Sequence, residues 1–286
     1  MAEIDSAPSH GRGGGGEVRA ALAATAARLG FSATPRLDAE LLMAHALGVE
    51  RNAILLDPDR YAVPDAFAAL VERRMAHEPV AYITGTRGFW SIDLAVGPGA
   101  LVPRADSEML LIAAQGHFGA SAPGTILDLG TGPGTLLLAA LDEWRSAQGV
   151  GVDFSRAALG YARANAATLA MTDRARFVCA NWAGALDARF DLILANPPYI
   201  ATDAVLPPEV HAHEPHAALF AGADGLDDYR ILAQQIPALL APGGAAAIEI
   251  GSTQAAAVTA LLAAQGLTVT LRRDLAGRDR CLIATS

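Results

Sequence analysis

The chain contains no lysine. Its 21 side-chain cations other than histidine are all arginine, set against 30 acids, for a formal charge of -9 over 286 residues. That balance argues against a broad nucleic-acid surface, which needs clustered cations to neutralise phosphates. A local basic patch stays compatible with it. Nothing functional follows from the missing lysine itself. Cysteine is nearly as scarce. Cys179 and Cys281 lie far apart and fit neither a disulfide framework nor a metal-ligand spacing. Both fall in apparent strands, which predicts reduced, buried thiols in a cytoplasmic protein. Long apolar runs are missing too. Val18 to Leu29 is rich in alanine but short, and Arg19 and Arg28 interrupt it, so it does not read as a membrane span. Residues 1–17 are polar, include Gly13 to Gly16, and read as a mobile tail without the apolar centre of a signal peptide.

What is present is ample apolar material, 52% of the chain, enough for folded cores at a length that favours two domains. Residues 18–83 read as a small helical bundle. Leu37, Leu41, Leu42 and His45 recur at helical spacing until Gly48, and Phe67, Leu70, Val71 and Met75 form a second apolar face. Residues 84–106 read as a hairpin or extended linker with a turn at Pro98-Gly99. A helix is predicted after Ser107, capped by Asp106 or Ser107. Across 107–286, strands and helices alternate. Strands are predicted at 125–130, 149–153, 175–180, 190–196, 244–251, 268–275 and 279–285. Helices are predicted at 135–146, 155–170, 226–241 and 253–265. Such alternation predicts an α/β fold with a parallel sheet, helices on both faces and ligands at the carboxyl ends of the strands.

Three motifs fall at such ends. The strand through Asp128 and Leu129 runs into Gly130-Thr131-Gly132-Pro133-Gly134, where glycines let a backbone approach a ligand and open a helix N-terminus. The next strand ends in Asp153, about 20 residues on, the usual place for an acid that grips a ribose diol. No further glycine completes a dinucleotide pattern. A nucleoside cofactor without a pyrophosphate fits better, and S-adenosylmethionine is one. The third motif is Asn196-Pro197-Pro198-Tyr199. Two prolines stop the strand Phe190–Ala195, since neither donates a ladder hydrogen bond. They leave a stiff corner with a side-chain carbonyl, backbone carbonyls and an aromatic ring. That set suits a flat group bearing an NH2: the carbonyls accept both N–H bonds and Tyr199 stacks on the plane. A delocalised nitrogen is a poor nucleophile, and acceptors on its hydrogens return electron density to it and fix its approach.

Together these residues resemble a class I S-adenosylmethionine-dependent methyltransferase with a Rossmann-like sheet. More narrowly, the chain resembles the peptide chain release factor N5-glutamine methyltransferases. Arg36 to His45, Glu78 to Gly85, Leu101 to Glu108, Glu214-Pro215, Asp224-Gly225-Leu226 and Tyr229-Arg230 carry that narrower likeness, which covers residues 35 to 286. Ala105, where the family has proline, and Gly88, where it has an acid, depart from it. The resemblance implies methylation of the side-chain amide of a release-factor glutamine. It implies a monomer without membrane or direct nucleic-acid partners, and a helical substrate-recognition domain at 18–83. It implies cofactor contacts from Gly130 to Gly134, Asp153, Trp182 and Asn196, catalysis by Asn196, Pro197 and Tyr199, and substrate binding by these three with Pro198. Trp182 equally reads as a core residue capping the sheet. Alternatives are an N6-adenine nucleic-acid methyltransferase, a ribosomal-protein glutamine methyltransferase and a non-catalytic nucleotide-binding scaffold. His211, His213 and His216 do not form a zinc signature, because Ala217 replaces the second ligand and Pro215 breaks the helix. They read as a polar loop, with no metal. Arg36, Arg73, Arg74 and Arg104 read as solvated surface.

Overall fold

The computed structural model describes residues 15–184 and 186–286. Residues 1–14 of the expected tail lie outside this range, whereas Gly15 to Glu17 already belong to a helix. The chain divides into two compact units between Thr84 and Gly85. No helix among the described residues is long and apolar enough to cross a membrane.

The first unit contains helices α1 (Gly15–Arg28), α2 (Pro35–Leu47), α3 (Arg51–Leu56), α4 (Ala66–Met75) and α5 (Val80–Thr84). Their core gathers Leu22, Leu42, Met43, Ile54, Phe67 and Val71. The inward face of α2 differs from the expected one. Ala39, Leu42 and Met43 are buried, Leu37 and Leu41 only half-buried, and His45 exposed. The pattern is disguised because α2 also buries two acids. Asp38 takes Arg74 Nε at 2.9 Å, and Glu40 takes Arg36 and Arg51. Arg74 is thus a buried partner rather than solvated surface. Arg36 and Arg73 are half-exposed, and each holds a carboxylate. Gly48 ends α2 in the left-handed region, at φ 65°.

The second unit opens with an antiparallel hairpin, β1 (Thr86–Phe89) and β2 (Ile92–Ala95). Helix α6 (Glu108–Phe118) follows a 3-10 turn at Ala105–Ser107. The expected cap is not made: Ser107 already has helical dihedrals and no side-chain bond to the helix start. Then come β3 (Thr125–Leu129), α7 (Thr135–Glu143), β4 (Gln148–Asp153), α8 (Arg156–Thr168), β5 (Ala175–Cys179) and β6 (Phe190–Ala195). The chain closes with α9 (Pro208–His213), α10 (Asp227–Leu239), β7 (Leu240–Glu249), α11 (Ala255–Ala263), β8 (Thr268–Arg273) and β9 (Asp279–Thr285). The sheet order is β5-β4-β3-β6-β7-β9-β8, parallel from β5 to β7, with β9 antiparallel to both its neighbours. Central strands such as Leu192 to Ala195 and Ala245 to Ile248 are fully buried, as a sheet covered on both faces requires. Of the cysteines, Cys281 is buried in β9, but Cys179 is exposed, because β5 is an edge strand.

Candidate active site

β3 and β6 are parallel neighbours, and from them the chain winds outward in opposite directions along the sheet. Such a reversal opens a crevice at the carboxyl ends of the two strands. Leu129 pairs with Ala195, so the residues that follow, Gly130 and Asn196, emerge side by side. A Cβ on Gly130 would stand 3.9 Å from the Asn196 carbonyl oxygen.

A cavity of about 130 Å³ lies here, lined by Gly130, Gly132, Val152, Asp153, Phe154, Trp182 and Asn196 among others. Gly130 has φ 76°, and a Cβ there would come within 3.2 Å of the Trp182 ring. Where a Gly132 Cβ would project, there is open space. Side chains at these positions would fill the cavity, so the glycines keep it. Thr131 and Pro133 line a smaller neighbouring cavity of about 40 Å³. The Thr131 hydroxyl donates to Asp128 Oδ2 at 2.6 Å, and the Pro133 carbonyl accepts from Asn165 Nδ2 at 2.9 Å. Gly134 stands off both. A Cβ on it would lie 2.8 Å from Leu138 Cδ1, so its role is close packing at the start of α7.

Asp153 ends β4 with a buried carboxylate. Oδ2 accepts from Gly132 N–H and Oδ1 from Ser155 N–H, both at 2.8 Å. Each oxygen keeps a lone pair for a further donor. Burial pushes the Asp153 pKa up, and these two N–H bonds oppose the shift. Trp182 sits where both of its expected roles would place it, and core packing is the one the structure shows. Half-buried, it packs on the sheet core and also lines the cavity, with Nε1 donating to Asp228 Oδ1 at 3.1 Å. Its φ of 48° is a left-handed conformation that a bulky residue rarely adopts.

The proline corner lines a second cavity of about 190 Å³, formed by Asn196, Pro197, Pro198 and Tyr199 with Leu101, Arg104 and Glu249 among others. Asn196 and Leu101 border the cavities of about 130 and 190 Å³, and the smaller one of about 40 Å³ as well. Tyr199 is held from behind: its carbonyl accepts from Gln254 Nε2 at 3.0 Å, and its hydroxyl reaches to 3.5 Å from Glu249 Oε1. Arg104 is paired with the buried Glu214, which also accepts from Val102 N–H at 3.1 Å. Arg104 is therefore a built part of the cavity wall. His211 and His213 lie on α9 and His216 in a 3-10 turn, rather than in a featureless loop. Among the described residues, no group of three or more His, Cys, Asp or Glu side chains is placed to hold a metal.

Sequence reasoning missed Ser107, Asp128 and Glu249. The Asn196 Nδ2 donates to the Ser107 hydroxyl at 2.9 Å, so the hydroxyl expected to cap a helix faces the proline corner instead. Asp128 and Glu249 are each 1% exposed, and burial raises both carboxyls to about 7. An acid inside an otherwise apolar strand was the available signal for each.

Comparison with known proteins agrees with this architecture. Residues 20–85 match the PrmC N-terminal domain and residues 121–266 a methyltransferase domain. A release factor glutamine methyltransferase of Rhodospirillum rubrum is 47% identical over 256 residues, covering 87% of this chain and 78% of that one. Its counterpart from Caulobacter vibrioides is 43% identical, over 87% and 89%. Among solved structures, a methyltransferase from Pyrococcus furiosus superposes with a TM-score of 0.52 at 17% identity, over 68% of this chain and 89% of that one. The Thermus thermophilus 16S rRNA N2 G1207 methyltransferase, in complex with AdoMet and guanosine, also gives 0.52, at 22% identity, over 70% and 49%. At that identity the structures speak for the fold alone. The sequence relatives go further: the chain belongs to the release factor glutamine methyltransferase family.

Proposed function

We propose that this protein transfers a methyl group from S-adenosylmethionine to the side-chain amide nitrogen of the glutamine in the GGQ motif of peptide chain release factors. The observation that carries the reading is the place of Asn196. It borders both cavities, and its amide nitrogen is engaged by Ser107, which leaves Oδ1 for a substrate N–H.

The first cavity fits the cofactor. Glycines at 130 and 132 keep it open, the Trp182 ring gives it an apolar wall, and Asp153 offers lone pairs to a ribose diol. When bound, S-adenosylmethionine supplies a methyl group activated by a sulfonium. Asn196 Oδ1 and the Pro197 carbonyl accept the two hydrogens of the glutamine amide, which orients the nitrogen and raises its electron density. Tyr199 closes on the amide plane. It is not the base: burial, then the neighbouring Glu249, push its phenol up to about 12. The proton displaced from nitrogen goes to water. We assign residues 18–83 to recognition of the release factor, which their match to the PrmC N-terminal domain supports. The acidic balance supports a protein rather than a nucleic-acid substrate. A monomer in the cytoplasm completes the reading.

Incubation with methyl-labelled cofactor and either a release factor or DNA tests it. Label is expected on one glutamine of the release factor, located by fragment mass. Label on DNA alone would overturn the assignment.

A further inference from the structure

We propose that Arg104 is a further substrate-binding residue, donating from its guanidinium to the side-chain carbonyl oxygen of the glutamine whose nitrogen is methylated. The inference rests on the reading of the second cavity as the glutamine site, and it supplies a contact which that reading leaves open. Asn196 and the Pro197 carbonyl take the two hydrogens of the substrate amide. Its oxygen, once inside the cavity, still needs a donor, since a buried carbonyl without one is costly.

The cavity of about 190 Å³ offers few side-chain donors. Arg104, Asn196 and Tyr199 carry them, and the rest of the lining, Glu249 apart, is apolar or proline. Asn196 Nδ2 is spent on the Ser107 hydroxyl at 2.9 Å, and the Tyr199 hydroxyl is directed to Glu249 Oε1 at 3.5 Å. Glu249 is itself an acid, 1% exposed, and Tyr199 is what its Oε1 meets. Arg104 remains.

Arg104 is both available and fixed. Its side chain is 41% exposed, against 2% for that of its partner Glu214. Nη2 donates to Glu214 Oε1, and the opposite oxygen, Oε2, accepts from Val102 N–H at 3.1 Å. A buried anion thus pins one corner of a planar fork of five N–H bonds, and among the described residues no other hydrogen bond engages the fork. Its charge reaches the ring assigned to the amide plane. Burial and then Glu249 push the Tyr199 phenol up to about 12, and Arg280 and Arg104 oppose the rise. A guanidinium only donates, and the Pro197 carbonyl only accepts. An amide that meets both fits one way round, with oxygen on Arg104 and NH2 on Pro197. A donor on the oxygen does not make the nitrogen more nucleophilic, so the gain lies in binding and direction. Arg104 also borders the cavity of about 40 Å³, with Thr131 and Thr135. A carboxylate of the cofactor is therefore the competing oxygen, and the test separates the two.

Equilibrium binding is measured with S-adenosylhomocysteine, so that no transfer occurs, for a release factor and for its variant with methionine at the target glutamine. Methionine keeps the length and loses the oxygen and the NH2. Its cost is compared in the wild-type enzyme and in Arg104→Met/Glu214→Gln, which removes the cation without stranding a buried anion. The cost should be about tenfold or more greater in the wild type, with cofactor affinity unchanged. In steady-state transfer, KM for the release factor should rise about tenfold and kcat fall less. Glu214→Gln alone, which keeps Arg104, should retain most of the difference. If the double variant does not fold, Arg104→Gln, whose amide still donates to Glu214, is read by the same comparison. An equal cost of methionine in both enzymes would overturn the proposal. So would a loss of cofactor affinity with that cost unchanged, which would assign Arg104 to the cofactor carboxylate. Asn196→Ala keeps the two levels apart. Transfer lost in Asn196→Ala, with equal methionine costs at Arg104, refutes this inference alone. Transfer kept in Asn196→Ala refutes the acceptor reading itself.

Discussion

The backbone N–H of Gly132 donates to Asp153 Oδ2 at 2.8 Å, tying the turn after β3 to the end of β4. One carboxylate thus shapes the cavity and faces into it. Asp153→Ala is expected to weaken S-adenosylmethionine binding about 10- to 100-fold, the scale of losing charge-assisted hydrogen bonds. At saturating cofactor, kcat should fall much less. Isothermal titration alongside steady-state kinetics checks this; equal losses in both would remove Asp153 from cofactor binding.

On the proposed reading Asn196, which borders the cofactor cavity, accepts from the substrate amide. Asn196→Ala is expected to cut kcat by about 100-fold or more, the usual scale for one preorganised polar partner. Cofactor affinity should drop far less. The readout is single-turnover transfer at saturating cofactor.

Gly225 supports Tyr199 from a distance in sequence. It has φ 71°, and a Cβ there would fall 2.4 Å from the Tyr199 carbonyl oxygen. Gly225→Ala combines a backbone penalty of about 1–2 kcal/mol with a push on the proline corner. Lower kcat at unchanged cofactor affinity is the expected outcome, and an unaltered kcat would show that the corner tolerates displacement.

Asp128 makes stability depend on pH. Burial, first, and then the Asp153 charge raise its carboxyl to about 7 from an ordinary 3.8, against hydrogen bonds from Thr131 and Leu137. The folded chain then binds this proton more tightly than the unfolded one. Its contribution is complete below the unfolded value and is lost as pH rises through about 7, of order a few kcal/mol at most. Urea denaturation of the cofactor-free protein should show stability falling across that window, with a shallower fall in Asp128→Asn.

Within the first unit, Arg74 and Asp38 form a buried pair at 2.9 Å. Arg74→Ala removes the only cation paired with the buried Asp38 among the described residues, leaving it the Ser32 and Thr34 hydroxyls, and is expected to cost about 3 kcal/mol. Hydrogen exchange across α2 and α4 should report the loss of protection.

Much of this was legible in the sequence, for physical reasons. Strands such as Phe190–Ala195 are continuous apolar runs ended by proline, and Gly130 and Asn196 sit where the runs end. The exposure of Cys179 was not legible, because strand order decides which strand becomes an edge. Nor was the inward face of α2, where arginines on α2, α3 and α4 neutralise two buried acids and invert the usual pattern. Ser107 was misassigned because a serine before a helix most often caps it, and only the fold brings Asn196 within its reach.

The pairing of Leu129 with Ala195 carries a last implication. A slip of one residue between these strands would turn every side chain to the opposite face, so the place of Gly130 beside Asn196 is anchored in two buried strands. Surface segments can therefore diverge, lengthen or bend while the two cavities that Asn196 borders keep their spacing.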